Sequence, residues 1–312
     1  MLRLSAQLTA AALILALAAP RPALAEERPT PAGEATTRAH RLRWEPHWPR
    51  HRVWQYGLTA AAFGLLTYVH FGTYSTGKPR WTGPILFDAG VRDAVRLRTP
   101  AARQHANIAS DVTWGIAWGF PLADSLIVAL AVDRNVDLAW QMMAINAQVF
   151  AIVGFASRAM HKATKRQRPG QAACAADPSY GGTCGGSPAS FFSGHTALTA
   201  AAAGLTCVHH QFLPLYGGGW ADRAACAAAL AASVTTGLLR TMSDRHYISD
   251  VLVGGTFGFL VGYGLPRLLH YRYPLRLRLR GGSRKQAFGA RLISVVPLAG
   301  EDRYGVTLLG LF

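Results

Sequence analysis

Two arginines, two histidines, a serine and a carboxylate occur in this chain in an order suited to cleaving a phosphate ester without a metal. They fall in three short stretches: Arg168-Pro169, Ser193-Gly194-His195, and Arg240 followed by His246 and Asp250. Arginine forks neutralise phosphate oxygens, one histidine attacks phosphorus, the other protonates the leaving oxygen, and a carboxylate orients the attacker. His246 stands four residues before Asp250, so on a helix both would share one face. A carboxylate bonded to one ring nitrogen fixes the tautomer and frees the other nitrogen to attack, which makes His246 the expected nucleophile. His195 follows Gly194 at an expected helix start. From there it can donate a proton to the leaving oxygen, and the helix amides and dipole favour phosphate. Ser193 is an expected hydrogen-bond donor to phosphate, and an N-cap role is compatible with that. Arg168 and Arg240 would clamp the equatorial oxygens, which carry charge in the transition state. Taken singly, the His–Asp pair reads as a buried structural pair and Ser-Gly-His as a chance triplet; together and in order they point to chemistry.

Helices must position these groups. Apolar segments recur at about 53–73, 109–132, 136–160, 195–213, 222–242 and 250–269, each about long enough to span a bilayer. Several are rich in Ala and Gly, which suits close helix packing. Asp124, Gln141, Asn146 and Gln148 interrupt them and would face a bundle interior if embedded, or solvent if the protein is soluble. No strand pattern precedes about residue 275. The expected fold is therefore all-α: a bundle of about six core helices, membrane-embedded or membrane-associated. Leu275 to Arg280 then alternates apolar and basic residues. Leu292 to Pro297 and Val306 to Phe312 resemble two short strands about a turn-like spacer, a β-hairpin-like tail. The expected divisions are a signal peptide at 1–25, a flexible lead-in at 26–52, a helical catalytic domain at 53–272 and a basic tail at 273–312.

Half of the 312 residues are hydrophobic and 15% are charged, with a net charge of +16. The mean hydropathy of +0.15 is high for a soluble enzyme and low for a fully polytopic membrane protein, and the pI is near 10.5. Such a balance implies acidic partners. The basic residues are scattered between apolar segments with no zinc-finger or RNA-binding signature, so a membrane surface is expected and nucleic acid is not. Arg3, an apolar run from Leu8 to Ala19, and Ala23-Leu24-Ala25 read as a secretory leader, with an uncleaved anchor as the alternative. Cys174 and Cys184 share one Gly-rich loop, as an extracytoplasmic disulfide would. Cys207 and Cys226 would form a second bridge or serve as small buried residues. No metal site or cofactor is implied. His209-His210 is a poor metal pair, because adjacent histidines diverge on a helix, and an interfacial role is expected of it.

The order of motifs resembles the type 2 phosphatidic acid phosphatase superfamily, which includes bacterial acid phosphatases and vanadium haloperoxidases. Its pattern is Lys-x6-Arg-Pro, then Pro-Ser-Gly-His, then Ser-Arg-x5-His-x3-Asp. Arg168-Pro169, Ser193-Gly194-His195, Arg240, His246 and Asp250 match it, with Phe192 and Leu239 as minor departures. At the lysine position the chain has His161, with Lys162 and Lys165 nearby. Lys162, one residue round the helix, is the expected phosphate-binding substitute, with His161 next and impaired activity as the third outcome. The resemblance, over residues 110–270, implies a phosphatase that hydrolyses a lipid phosphate or isoprenoid (pyro)phosphate through a phosphohistidine on His246. The alternatives are a soluble phosphomonoester acid phosphatase, a vanadate-dependent haloperoxidase and a degenerate phosphate-binding protein. The site is expected to face the periplasm, on a membrane protein or on a soluble periplasmic one. A cleaved leader requires an even number of crossings before Arg168, yet three apolar segments lie there. The second, with Asp111, Pro121 and Asp124, is the weakest expected span.

Overall fold

The computed structural model describes residues 42–71, 78–182, 184–272, 291–300 and 303–311. The expected leader, the alternation from Leu275 to Arg280 and Phe312 lie outside them. Eight helices make up the described fold: α1 Val53–Phe71, α2 Asp88–Val95, α3 Pro100–Ala123, α4 Val136–Thr164, α5 Pro169–Ala176, α6 Gly194–Phe212, α7 Trp220–Met242 and α8 Ile248–Phe259. Wider turns prolong α3 to Val132, and α8 continues to Leu269. Two antiparallel strands follow, β1 Arg291–Gly300 and β2 Arg303–Leu311. The helix starts are written in side chains. Thr99 accepts from the Ala102 amide ahead of Pro100, and Asn135 accepts from the Leu138 amide. Ser193 accepts from the Thr196 amide, satisfying a donor that α6 leaves open.

Alanine-rich α6 runs through the middle, packed by α3, α4, α7 and α8, while α1 lies along α4. Small side chains allow this: Ala197, Ala200, Ala201, Ala202 and Ala203 are all buried. Along α8, Gly254, Gly258 and Gly262 face α6 at four-residue spacing. A Cβ on Gly254 would lie 2.7 Å from the Ser193 carbonyl oxygen, and Cβ atoms on Gly258 and Gly262 would overlap the Ala197 and Ala201 carbonyls. The two backbones are in contact at every turn, as in small-residue helix pairs.

Leucine, isoleucine and valine also cover the outside. Ile108, Val112 and Ile116 of α3, Val234 and Leu238 of α7, and Leu252 and Val253 of α8 are exposed. Among the described residues, four helices are long and apolar enough to cross a membrane: Pro100–Val132, Val136–Thr164, Trp220–Met242 and Ile248–Leu269. The fold is all-α and suited to a bilayer. The segment expected to be the weakest span has the highest mean hydropathy of the four, 1.7. Its acid is internal: Asp124 pairs with His210 at 3.1 Å and accepts from Tyr216 at 2.8 Å.

The end of the bundle remote from the three motifs holds two further differences from the sequence expectation. The lead-in, read as flexible, packs over 42–52: Leu42, Trp44 and Trp48 are buried, and both tryptophans meet Tyr271. Their large apolar area favours burial over a surface position. His209 and His210 are buried, not interfacial. They diverge, His209 to Asn146 and Tyr271, His210 to Asp124 and Asp222. Both cysteine pairs are bridged, Cys174 to Cys184 and Cys207 to Cys226.

Candidate active site

The three motifs meet at one end of the bundle, where α7 ends and α6 and α8 begin. His246 sits in the turn between α7 and α8 and is 2% exposed. Its Nδ1–H donates to the Ser190 carbonyl at 2.7 Å, which leaves Nε2 with the lone pair. The expected bond from Asp250 is absent: its Oδ2 stands 4.0 Å from His246 Nδ1. The reason is the helix start. α8 begins at Ile248, so His246 lies outside it and the one-face geometry of a helix does not apply. Asp250 instead caps α8, accepting from the Tyr247 amide at 3.0 Å in a capping box. It also accepts from Ser190 Oγ at 2.6 Å and from Arg166 Nη1 at 2.5 Å. The carboxylate thus holds the residue whose carbonyl holds the histidine.

Arg166, two residues before Arg168, is fully buried. Its fork joins Asp250 to Asp88, 2.7 Å away, and donates to Ser249 Oγ at 2.9 Å. The guanidinium lies between the Trp81 ring at 4.1 Å and the Tyr247 ring at 4.3 Å. Nothing local marks it, because Asp88 is 78 residues away in sequence.

Arg168 and Arg240 both line the cavity beside His246. Arg168 ends the chain's approach to α5 and donates to the Arg245 carbonyl at 3.3 Å. Arg240 Nη1 donates to Asn107 Oδ1 at 2.9 Å and to Ser110 Oγ at 3.2 Å, both on α3, and its Nε is a buried donor without a partner among the described residues. His195, the second residue of α6, lines the same cavity and pairs through Nε2 with Asp111 Oδ1 at 3.0 Å. Asp111 also reaches Arg240 at 3.3 Å. Asn107, Ser110 and Asp111 were missed as site residues, because no motif carries them.

Burial, then the charge of Arg168, holds the His246 imidazole well below its usual range. Burial and Arg240 depress His195 likewise. Burial, then Arg240, pushes Arg168 down to about 9. Crowded cations penalise one another, and a phosphate dianion among them would reverse each effect.

Two expected ligands are placed differently. Ser193 is fully buried, its hydroxyl shared between the Thr196 amide at 3.4 Å and Thr196 Oγ1 at 2.9 Å. It serves the cap, while Gly194 lines the cavity. Lys162 lines a smaller neighbouring cavity of about 260 Å³ and not the one that holds His246. His161 does line the latter, but the Phe192 carbonyl engages its Nε2 at 2.8 Å. Its remaining nitrogen, Nδ1, then carries a lone pair, which repels a phosphate oxygen. Arg158, one turn earlier on α4, lines both that smaller cavity and the one beside His246.

That cavity measures about 660 Å³. From the arginines and histidines it continues between α1, α3 and α4 as an apolar groove, walled by Phe63, Leu66, Trp118, Leu122, Met143 and Phe150. No group of His, Cys, Asp and Glu side chains able to hold a metal ion occurs among the described residues.

Residues 143–274 match the PAP2 superfamily. No curated protein and no solved structure matches the chain. The matched stretch includes His246, His195, Arg168 and Arg240, whereas Asp88, Asn107 and Asp111 precede it.

Proposed function

We propose that the substrate of this chain, a phosphatase whose residues 143–274 belong to the PAP2 superfamily, is a lipid phosphate or isoprenoid (pyro)phosphate. The observation that carries this is the apolar groove opening directly onto the cation cluster. A phosphate held by Arg168, Arg240 and the Gly194 amide places its hydrocarbon in that groove, and burial of each CH₂ there contributes about 0.8 kcal/mol.

The chemistry proceeds in two displacements. His246 Nε2 attacks phosphorus while the ester P–O bond breaks, and the departing oxygen takes a proton from His195. The phosphohistidine carries positive charge on its ring, balanced by Asp250 at 4.0 Å. Water entering the vacated place gives a proton to His195 and attacks phosphorus. The P–N bond breaks, its electron pair returns to Nε2, and inorganic phosphate leaves. Arg168 and Arg240 hold the equatorial oxygens through both steps.

The Cys174–Cys184 bridge supports a site facing the extracytoplasmic side. Beside it, the Gly185 carbonyl accepts from Arg245 and the Gly186 carbonyl from Gln171, on the rim of the site.

The test is phosphate release by the purified chain in detergent from a diacylglycerol phosphate, an isoprenyl diphosphate and a soluble phosphomonoester. The expected result is preference for the lipids and loss of all release in His246→Ala. Equal efficiency on the soluble ester would refute the lipid assignment.

A further inference from the structure

Between the phosphate cluster and the apolar groove lies a layer that the two displacements do not use. On α4, Met143, Ala147, Phe150 and Gly154 line the groove and His161 stands at the cluster. Arg158 falls between them, one turn below His161. On α3, Asp111 pairs with His195 at the cluster, and Trp118 meets Phe150 in the groove at 5.6 Å. Trp114 falls between those, with its ring 5.3 Å from that of His195.

Both intermediate residues hold donors that the fold does not use. Arg158 is exposed where it lines the cavity, and no hydrogen bond or ion pair holds its guanidinium among the described residues. The Trp114 Nε1–H is buried with no partner among the described residues. A buried donor such as the Trp114 N–H is destabilising unless a ligand supplies the acceptor, and the exposed Arg158 guanidinium beside it is open to the same ligand. His195, the expected proton donor, lies beside Trp114 with the two rings tilted at 50°, so this layer is on the side to which the leaving group departs.

We infer that Arg158 and Trp114 form a leaving-group subsite, one that takes an oxygen acceptor on the substrate close to the scissile P–O bond. Two substrate classes carry such an acceptor: the second phosphate of a diphosphate, and the ester carbonyl of an acylglycerol phosphate. A simple long-chain alkyl phosphate has the same hydrocarbon and the same phosphate but no acceptor there. The inference rests on the phosphatase reading for the direction of the leaving group.

Binding of uncleavable ligands to the purified full chain in detergent tests the subsite apart from turnover. The probes are hexadecylphosphonate, an isoprenyl methylenediphosphonate and a diacylglycerol phosphonate, measured by titration calorimetry. Arg158→Gln is expected to weaken at least one acceptor-bearing probe about 10- to 100-fold, the range for a hydrogen bond to a charged group, and to leave hexadecylphosphonate within about threefold. Trp114→Phe keeps the ring and removes the N–H, and is expected to weaken the same probe about 3- to 10-fold. Whichever of the two probes responds identifies the acceptor, and Arg158→Lys should restore part of a diphosphonate's affinity. Equal weakening of all three probes, or of none, overturns the subsite. Failure of the wild-type chain to release phosphate from any ester overturns the phosphatase reading and leaves the binding result to decide the subsite.

Discussion

Replacing Asp250 by asparagine separates two ways in which a carboxylate can assist a histidine. No hydrogen bond joins Asp250 to His246, so its influence runs through space and through Ser190. In the proposed phosphohistidine the ring of His246 is positive. At 4.0 Å and an effective dielectric of about 20, a carboxylate stabilises that charge by about 4 kcal/mol. Losing it slows the first displacement by about 10³. The asparagine side chain also leaves one of three donors, Arg166, Ser190 or the Tyr247 amide, without an acceptor, lowering stability by about 1–3 kcal/mol. Asp88 still neutralises Arg166, so the fold survives. Asp250→Asn should therefore reduce kcat by about 10³ with KM within about threefold. Ser190→Ala removes the hydroxyl relay but keeps both the carbonyl and the charge, and should reduce kcat by about tenfold at most. Steady-state phosphate release reads the rates, circular dichroism checks the fold, and quenching in alkali, where phosphohistidine persists, reads the intermediate. A folded Asp250→Asn with kcat within tenfold of wild type would refute the charge argument. If Ser190→Ala proves as damaging as Asp250→Asn, the relay is what matters.

The groove, the histidines, Lys162 and the second disulfide each make a further case. Gly154 faces Leu66, where an added Cβ would stand 3.1 Å from its Cδ2. Gly154→Leu should raise KM for long-chain substrates about tenfold and leave a short soluble ester unchanged; equal effects on both would place the hydrocarbon elsewhere. His246 and His195 have depressed pKa values in the folded chain. The unfolded chain takes up their protons near pH 6.5, so their contribution is intact above that pH and stability falls as pH drops below it. Melting temperature should thus decline from pH 7 to pH 5, less so with vanadate bound, and a rise would contradict the assignment. Lys162→Ala should leave kcat/KM within about threefold, because its side chain lines the neighbouring cavity; a larger loss in the phosphate-release assay would return the phosphate cation to Lys162. The Cys207–Cys226 bridge closes a separation of 19 residues, for which the loop-entropy estimate is about 3 kcal/mol. Thermal unfolding of the double serine variant should show a loss of that order with catalysis retained at low temperature.

The helices were legible because hydrophobic runs bounded by caps are local signals. The six apolar segments correspond to α1, α3, α4, α6, α7 and α8 within a few residues, apart from the earlier start of α3 at Pro100. The lining of the site was legible only where a motif carried it. His246, His195, Arg168 and Arg240 come together, since their spacing is tied to helix ends. The partners were not. Asp88, Asn107 and Asp111 come from α2 and α3, and a sequence read in order has no means of pairing Asp88 with an arginine 78 positions away. The error over His246 and Asp250 was one of phase: a helix starting two residues later converts a shared face into a cap. Lys162 is placed away from His246 for a related reason. Rotation about α4 assigns it to the next cavity alone, whereas Arg158, three residues before His161, also reaches the cavity beside His246.

The contact of α6 with α8 through Gly254, Gly258 and Gly262 works as a calliper. The two jaws are the helix starts, one bearing Ser193 and His195, the other Tyr247 and Asp250, and the Ser193 amide donates across the gap to the Asp250 carbonyl at 3.0 Å. Because the jaws meet backbone to backbone, their opening is set by van der Waals radii and not by any rotamer. Repacking the outer apolar residues to suit a thicker or thinner bilayer would leave the interval between the two histidines unchanged. The chemistry can therefore stay constant while the surface around it adapts to a different lipid.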